Sequence, residues 1–454
     1  AGTLFRSSIG RVKRLTATVG CLVIALGLVG CAAEKPVAGP STPVPSTPTA
    51  PTSSVPTTPS EPQRPATWTA ALPGARQFEN ATVLGQTVVV HGLRLVAGLN
   101  RADGKVLWKV PVSGDTRVSV TKAVVLIEQD KLIQGVDIRS GKVRYRKKHP
   151  HYGMIAGITA DWVVVPDCAG KTCRVRGLQL PSFKERWYAD FPFREGPAVD
   201  APGSELTSHY YRLAEPHLVP SAPYVVFGRE VGKERLMTAL ATATGKPGKT
   251  FEARDQSLTP TTGRLGLVWD ERYSGSTRRI AAQDVWTGRV LWEQDGKRWD
   301  NGSQAGYPAL TSRLLALPTE EKTPALIDLR TGKIRWTSTV QGVPVGLDDR
   351  TLVIRTGELS NAVDLVGLDT ANGNQRWRIE LPRTMLAGQD RAVALFGNRI
   401  AYEVAGPAVR VNDAGTGNVL WTASGSSDLL GLGSDWLITQ STGADDRIQF
   451  FNVT

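Results

Sequence analysis

The stretch IDLRTGKIRW, from Ile327 to Trp336, decides the fold because it recurs along the chain. Close copies are LNRADGKVLW (99–108), VDIRSGKVRY (136–145), QDVWTGRVLW (283–292), LDTANGNQRW (368–377) and NDAGTGNVLW (412–421). Two copies are degenerate: LQLPSFKERW (178–187), in which the Gly is replaced, and ATATGKPGKTF (241–251). Repetition of this kind predicts an array of similar units rather than one large core.

The motif has the chemistry of a strand, a tight turn and a second strand. A glycine such as Gly332 can take a positive φ in the turn without a Cβ clash. The preceding Asp328 can accept hydrogen bonds from turn amides. The next short strand carries Trp336, whose large ring buries much area. We therefore expect the motif aromatic to seal one sheet against the next.

The spacing of the motif aromatics indicates the size of the repeat. Successive positions are 37, 42, 64, 41, 44, 41 and 44 residues apart. Two short β-branched, apolar runs precede nearly every motif, for example Thr87–His91 and Leu93–Leu99. This pattern predicts an all-β β-propeller of four-stranded blades. The predicted blade-docking residues are Trp68, Trp108, Tyr145, Trp187, Phe251, Trp292, Trp336, Trp377 and Trp421.

These repeats resemble the PQQ-type, or quinoprotein-like, β-propeller family over about residues 66–454. In overall plan the chain also resembles the bacterial family of β-propeller lipoproteins of the barrel-assembly machine, which is typically eight-bladed. No strand pair precedes Trp68, so its strand is predicted to complete the last blade and close the ring. Counting Trp68 with the eight other motifs gives nine blades. Eight blades is the preferred prediction and nine is left open.

The N-terminal part has the pattern of an export signal followed by a tether. Residues 1–30 combine a basic start with an apolar run, as secretory signals do. Leu28-Val29-Gly30-Cys31 resembles a lipobox, which implies cleavage before Cys31 and a lipid, such as palmitate, anchoring it. An ordinary signal with an incidental Cys is the alternative. Residues 31–66, rich in Pro, Thr and Ser, predict a disordered linker ahead of a propeller at 67–454.

Cys168 and Cys173 stand at the shoulders of a predicted hairpin, in DCAGKTC. Facing cysteines across a hairpin can meet disulfide geometry, and an exported protein experiences an oxidising space. A disulfide is therefore the prediction. Two free thiols, or half of a metal site, are the alternatives.

Catalytic and metal-binding motifs are not evident. His149-Pro150-His151 is the only close histidine pair, and the sequence has no nucleophile elbow, zinc-helix motif or phosphate loop. The PQQ-dependent dehydrogenases that the repeats resemble carry two adjacent cysteines beside the quinone, a calcium site and a catalytic Asp. No adjacent cysteines occur in this chain. We predict no enzyme activity, no metal and no cofactor.

Function is predicted to lie in binding. A lipid-anchored propeller at the outer face of the cytoplasmic membrane, or in the wall, of a bacterium such as an actinobacterium would hold a protein or envelope polymer. The net charge of +12 suits an anionic polymer, or simply a solubilising surface, and no pattern suggests nucleic acid. The insertion at about Phe191–Pro220, with His209, Tyr210 and Tyr211, is a candidate partner surface. Alternatives are an inert loop there, and a small molecule or sugar in the central channel.

Overall fold

The computed structural model describes residues 61–453 except 76, 114–115, 130–131, 149–154, 156, 170–171, 193–222, 232–233, 253–255, 261–263, 271–275, 301–308, 320, 358–363, 382–392, 405–407 and 442–445. In this part of the chain all extended regular structure is β-strand, arranged in nine antiparallel sheets. None of these residues forms a helix of the length and apolarity needed to cross a bilayer. The sheets are called blades 1 to 9 in chain order.

Blade 1 contains Phe78–Leu84 (β2), Thr87–Gly92 (β3), Leu95–Asn100 (β4) and Val106–Pro111 (β5). Blade 2 contains Arg117–Val120 (β6), Val124–Gln129 (β7), Leu132–Asp137 (β8) and Val143–Lys148 (β9). Blade 3 contains Gly157–Ile158 (β10), Trp162–Ala169 (β11), Thr172–Gln179 (β12) and Lys184–Pro192 (β13). Blade 4 contains Tyr224–Val231 (β14), Glu234–Ala241 (β15) and Pro247–Glu252 (β16). Blade 5 contains Gln256–Pro260 (β17), Leu265–Asp270 (β18), Ser276–Asp284 (β19) and Arg289–Asp300 (β20). Blade 6 contains Ala309–Leu310 (β21), Leu314–Pro318 (β22), Pro324–Asp328 (β23) and Ile334–Thr337 (β24).

Blade 7 contains Val343–Leu347 (β25), Thr351–Thr356 (β26), Asp364–Asp369 (β27) and Gln375–Glu380 (β28). Blade 8 contains Val393–Phe396 (β29), Arg399–Val404 (β30), Ala408–Asp413 (β31) and Val419–Ser424 (β32). Blade 9 contains Ser426–Leu432 (β33), Trp436–Ser441 (β34), Arg447–Asn452 (β35) and Trp68–Ala71 (β1). The molecule is thus a β-propeller, as the repeats predict. Blade 4 has three strands among the described residues, and the other eight sheets have four.

The ring closes through its ninth blade, where the first strand of the described chain meets the last. Strand β1 pairs antiparallel with β35, placing Trp68 opposite Phe450. The two rings are stacked, with centroids 5.0 Å apart. Closure by the Trp68 strand is confirmed. The described residues form nine blades, the count left open, rather than the preferred eight, because the Trp68 strand completes a separate sheet with β33, β34 and β35.

The hydrophobic core is divided among the seams between neighbouring blades. Nine clusters of buried residues occur in the described part, one for each seam. Between blades 7 and 8, for instance, Val353 packs in one cluster with Ile400 and Tyr402. Burial of apolar area therefore holds each blade to its two neighbours, as expected of a repeat architecture.

Strand order gives the ring an inside, an outside and two unlike faces. The first strands of adjoining blades, such as β25 and β29, lie next to each other, so motif strands are outermost. Antiparallel alternation puts the motif turns on one face, here called the motif face. Connections between second and third strands, and between blades, leave from the opposite face, here called the loop face. The connection from β13 to β14, residues 193–223, leaves from the loop face.

Candidate functional site

The motif turn is a compact polar unit built around its Asp. Asp328 Oδ1 accepts a hydrogen bond from the Thr331 amide at 3.0 Å, and Asp328 Oδ2 pairs with Arg335 at 3.1 Å. Gly332 takes a φ of 71° and donates to the Asp328 carbonyl at 2.8 Å. Partial burial opposes ionisation of Asp328, but the hydrogen bonds from Arg335 and Thr331 outweigh it and lower its pKa.

Six motif tryptophans, all except Trp421, reach into the motif turn of the next blade. Trp292 donates from Nε1 to the Leu329 carbonyl at 2.7 Å, and its ring lies against Gly332 so closely that a Cβ there would sit 2.5 Å from the ring. The same bond joins Trp68 to Arg101, Trp108 to Ile138, Trp187 to Thr242, Trp336 to Thr370 and Trp377 to Ala414, at 2.7 to 3.0 Å. Phe251 lies against Gly288 without such a bond, since it has no donor. These aromatics are therefore occupied within the ring.

At the seam between blades 2 and 3, different residues fill the space that the motif Trp and Gly occupy at other seams. Phe183 stands where other motifs have Gly, at a φ of 55°. Its ring fills the space over Gly135 and stacks on Tyr145, with centroids 4.8 Å apart. A smaller aromatic residue in the outer strand, Tyr in place of Trp, is thus matched by a larger residue in the turn, Phe in place of Gly, so the seam stays filled.

At the seam between blades 8 and 9, no motif turn joins β35 to β1, because these two strands come from opposite ends of the described chain. A segment that precedes β1 packs at this seam instead. The Thr422 amide donates to Pro62 O at 2.9 Å and the Arg64 amide to Thr422 O at 3.0 Å. The Arg64 guanidinium lies 5.2 Å from the centre of the Trp421 ring. Glu61 binds Arg410 of β31, at 2.5 Å, and the Thr422 hydroxyl, at 2.9 Å. Residues 61–66, here called the strap, therefore lie on the outer edge of blade 8.

Three second strands carry a polar acceptor as their fifth residue, which bonds to the backbone of the next blade. The bonds run from Ile155 N–H to Glu128 Oε2 (2.8 Å), from Leu429 N–H to Glu403 Oε1 (2.9 Å) and from Phe78 N–H to Gln440 Oε1 (3.5 Å). Burial raises the pKa of Glu128 to about 7, against the Ile155 hydrogen bond and the charge of Arg117. Sequence reasoning missed these residues. A polar side chain at a fixed place in an otherwise apolar strand was the available signal.

The outer strand of blade 2 is the most basic of the motif strands. Strand β9 reads VRYRKK, with no acidic residue. Arg144 pairs with Asp137 at 3.0 Å, and Lys147 with Asp167 of blade 3 at 3.4 Å. Arg146 and Lys148 are exposed and have no ionic partner among the described residues.

Cys168 and Cys173 oppose each other in the register of β11 and β12. Cys173 is buried. Cys31, His209, Tyr210 and Tyr211 lie outside the described residues. Across the described ranges, no group of three or more His, Cys, Asp or Glu side chains is placed to bind a metal ion.

Similarity to known proteins extends over the repeats. The chain matches the family described as "Outer membrane protein assembly factor BamB" over residues 60–176, 174–344 and 276–430. It belongs to this family. Its members share the PQQ-type repeat that the motifs indicate, and the match spans eight of the nine blades and part of the ninth.

Solved structures resemble the chain in fold at low sequence identity. BamB from Moraxella catarrhalis is 16% identical, with a TM-score of 0.44, covering 85% of this chain and 98% of that one. A eukaryotic initiation factor is 11% identical, with a TM-score of 0.51, covering 76% and 87%. A quinohemoprotein alcohol dehydrogenase from Pseudomonas putida HK5 is 12% identical, with a TM-score of 0.43, covering 86% and 76%. Among curated proteins, no sequence matches significantly.

Proposed function

We propose that the protein is a membrane-anchored, extracytoplasmic scaffold that presents its propeller to a protein partner. The observation that carries this proposal is the division of labour within the ring. The motif aromatics hold neighbouring blades together and the turn carboxylates hold the turns in shape, whereas the longest connections leave from the loop face. Loops on a rigid framework are the usual carriers of binding function. The family name, which refers to an assembly factor, is in keeping with a binding role.

Site-specific photocrosslinking in intact cells tests which face is used. A photoreactive amino acid at Tyr210, in the loop-face insertion, should give discrete adducts with a partner protein. The matched control is Arg330, an exposed residue of a motif turn on the opposite face. Adducts from position 210 and none from position 330 would support the proposal. Equal labelling from both faces, or glycan binding without any protein adduct, would contradict it.

The anchor is the second part of the proposal. Cys31 follows an apolar run and a lipobox-like sequence, and the thirty-odd residues after it are rich in Pro, Thr and Ser. Such a segment cannot bury enough apolar surface to fold and serves as an extended tether. Cys31→Ala should release the protein from membranes in cell fractionation, whereas Cys21→Ala should leave it attached. Retention of the Cys31→Ala protein on membranes would refute the anchor.

Export would also make a Cys168–Cys173 disulfide the stable state of the β11–β12 hairpin. The two residues are register partners, and facing cysteines in neighbouring strands can meet the geometry of the bond. Alkylation of the unfolded, unreduced protein followed by mass spectrometry should modify neither cysteine. Modification of both would mean free thiols. Closing so short a loop contributes about 2 kcal/mol to stability.

The proposal is for binding and not for quinone-dependent oxidation. The chain has cysteines only at positions 21, 31, 168 and 173, so the adjacent pair of the quinone dehydrogenases cannot form. Absorption spectra after adding PQQ and calcium to the purified protein should show no bound quinone. A stable quinone spectrum would overturn this part of the proposal.

A further inference from the structure

The outer edge of blade 2 combines an unpaired strand edge with concentrated positive charge. Strand β9 is at the end of its sheet and pairs only with β8 among the described strands. Arg144, Arg146 and Lys148 occupy alternate positions, so they lie on one side of the strand. Tyr145 and Lys147 occupy the other side, towards blade 3. An edge of this kind has backbone groups ready to pair with another chain.

No other outer strand among the described residues has this character. Strand β28 carries Arg376 and Arg378, but both are ion-paired and Glu380 follows them. Strand β13 mixes Lys184 and Arg186 with acidic residues. Strand β32 has no charged residue at all. Charge on β9 is therefore not a general property of motif strands.

Another blade of the ring shows what such an edge can bind. At blade 8 the strap adds to β32 through backbone bonds on both sides of Thr422. Its Glu61 carboxylate is held by Arg410 and Thr422 of the same sheet. An extended segment with an acidic side chain is thus already accommodated on the outer edge of one blade.

We propose that the outer edge of β9 binds an extended, acidic peptide segment of a partner protein by strand addition. Cations on alternate residues repeat at roughly 6.6–6.8 Å along a strand, the same period at which an added strand presents every second side chain. Opposite charges facing each other across paired strands stabilise the pair. The exposed Val143 at the start of β9 offers an apolar contact at one end. This inference rests on the proposed scaffold function, for which it names one binding site.

Fluorescence anisotropy with the purified full chain tests the site directly. The probe is a labelled peptide in which Glu alternates with Thr and Val. Arg146→Glu with Lys148→Glu should weaken its binding by about tenfold or more, because two attractive pairs become repulsive. Lys184→Glu with Arg186→Glu on β13 is the matched control, since it changes the same charge at the same spacing on the next blade. The control should bind as the wild type does.

A second probe separates strand addition from simple attraction of charge. N-methylation of alternate backbone amides leaves the peptide's charge intact but removes the donors that pair with β9. The methylated peptide should bind much more weakly. Equal binding of both peptides, equal losses in the two double variants, or binding of anionic phospholipid vesicles but not of the peptide would each overturn the proposal. Such a failure alongside persistent crosslinks from position 210 would refute this site and leave the scaffold role standing.

Discussion

At the scale of single residues, a motif tryptophan packs closely against the turn glycine of the next blade. Gly332 has a positive φ and lies under the Trp292 ring. Gly332→Ala should lower the free energy of unfolding by about 2–4 kcal/mol, combining left-handed backbone strain with overpacking. Urea denaturation monitored by tryptophan fluorescence measures this loss.

Gly85→Ala is the control for the strain alone. Gly85 has a φ of 57°, yet a Cβ there would meet nothing within 4 Å. Its replacement should therefore cost only about 1–2 kcal/mol. If the two variants lost the same stability, contact with the Trp ring would not be the reason for glycine in the motif.

Glu128 gives the seam between blades 2 and 3 a pH dependence. Its pKa is raised from 4.5 to about 7 in the folded protein, so the unfolded chain loses its proton first as pH rises. The folded state should lose stability between these two values, and the loss should be complete above pH 7. Glu128→Gln keeps the acceptor for Ile155 and should be more stable than wild type at alkaline pH by about 1–2 kcal/mol.

Denaturation curves at acidic and alkaline pH check this behaviour. The difference between Glu128→Gln and wild type should shrink as pH falls towards 4.5. Glu128→Ala removes the acceptor as well, and should be destabilised throughout the range because the Ile155 amide loses its partner. A constant difference between Glu128→Gln and wild type would show that the carboxyl does not titrate in this interval.

Sequence could predict the residues that obey the repeat but not those that compensate for a departure from it. Gly332 and Trp336 follow from the motif alone, since turn geometry and ring area act locally. The stacking of Tyr145 on Phe183 joins residues that are far apart in sequence, one in a close copy of the motif and the other in a degenerate copy. Glu128 was missed for a similar reason, because its partner Ile155 belongs to the next blade.

At the scale of secondary structure elements, the strap shows where tether and propeller meet. The sequence placed the start of the propeller at residue 67, and residues 61–66 read as linker because Pro, Gln and Arg have no strand signature. In the structure these residues already lie on β32. Only tertiary contacts, chiefly those of Glu61 with Arg410, explain their order.

Arg410→Ala should loosen the strap. The variant removes the cation that holds Glu61, and hydrogen exchange at the Thr422 amide, which donates to Pro62, should accelerate by about fivefold. Arg378→Ala is the matched control. It removes an ion pair of blade 7, between Arg378 and Asp364 at 3.5 Å, that includes no strap residue. Unchanged exchange at Thr422 in Arg410→Ala would mean that backbone bonds alone hold the strap.

At the scale of the whole molecule, the repeat count depends on a strand that stands far from its partners in sequence. Each motif predicted one blade, and Trp68 predicted the ninth. The preference for eight blades came from the number typical of the resembled family and not from these residues. A direct count of the motif residues agrees with the nine sheets. The loop-face connections are the part that repetition could not predict, because their sequences share no motif.

Ring closure through Trp68 should be the point at which the molecule opens most readily. Trp68 is buried, stacks on Phe450 and docks on blade 1 through Arg101, but its strand is joined to β35 by no turn. Trp68→Ala should cost about 3–5 kcal/mol, as loss of a buried Trp does elsewhere. Trp336→Ala is the control, since β24 is joined to β23 by a short turn and should stay paired. Hydrogen exchange distinguishes the two variants: Trp68→Ala should expose β35 amides that pair with β1, while Trp336→Ala should leave β23 protected. Protection of β35 in Trp68→Ala would show that backbone pairing closes the ring without the tryptophan.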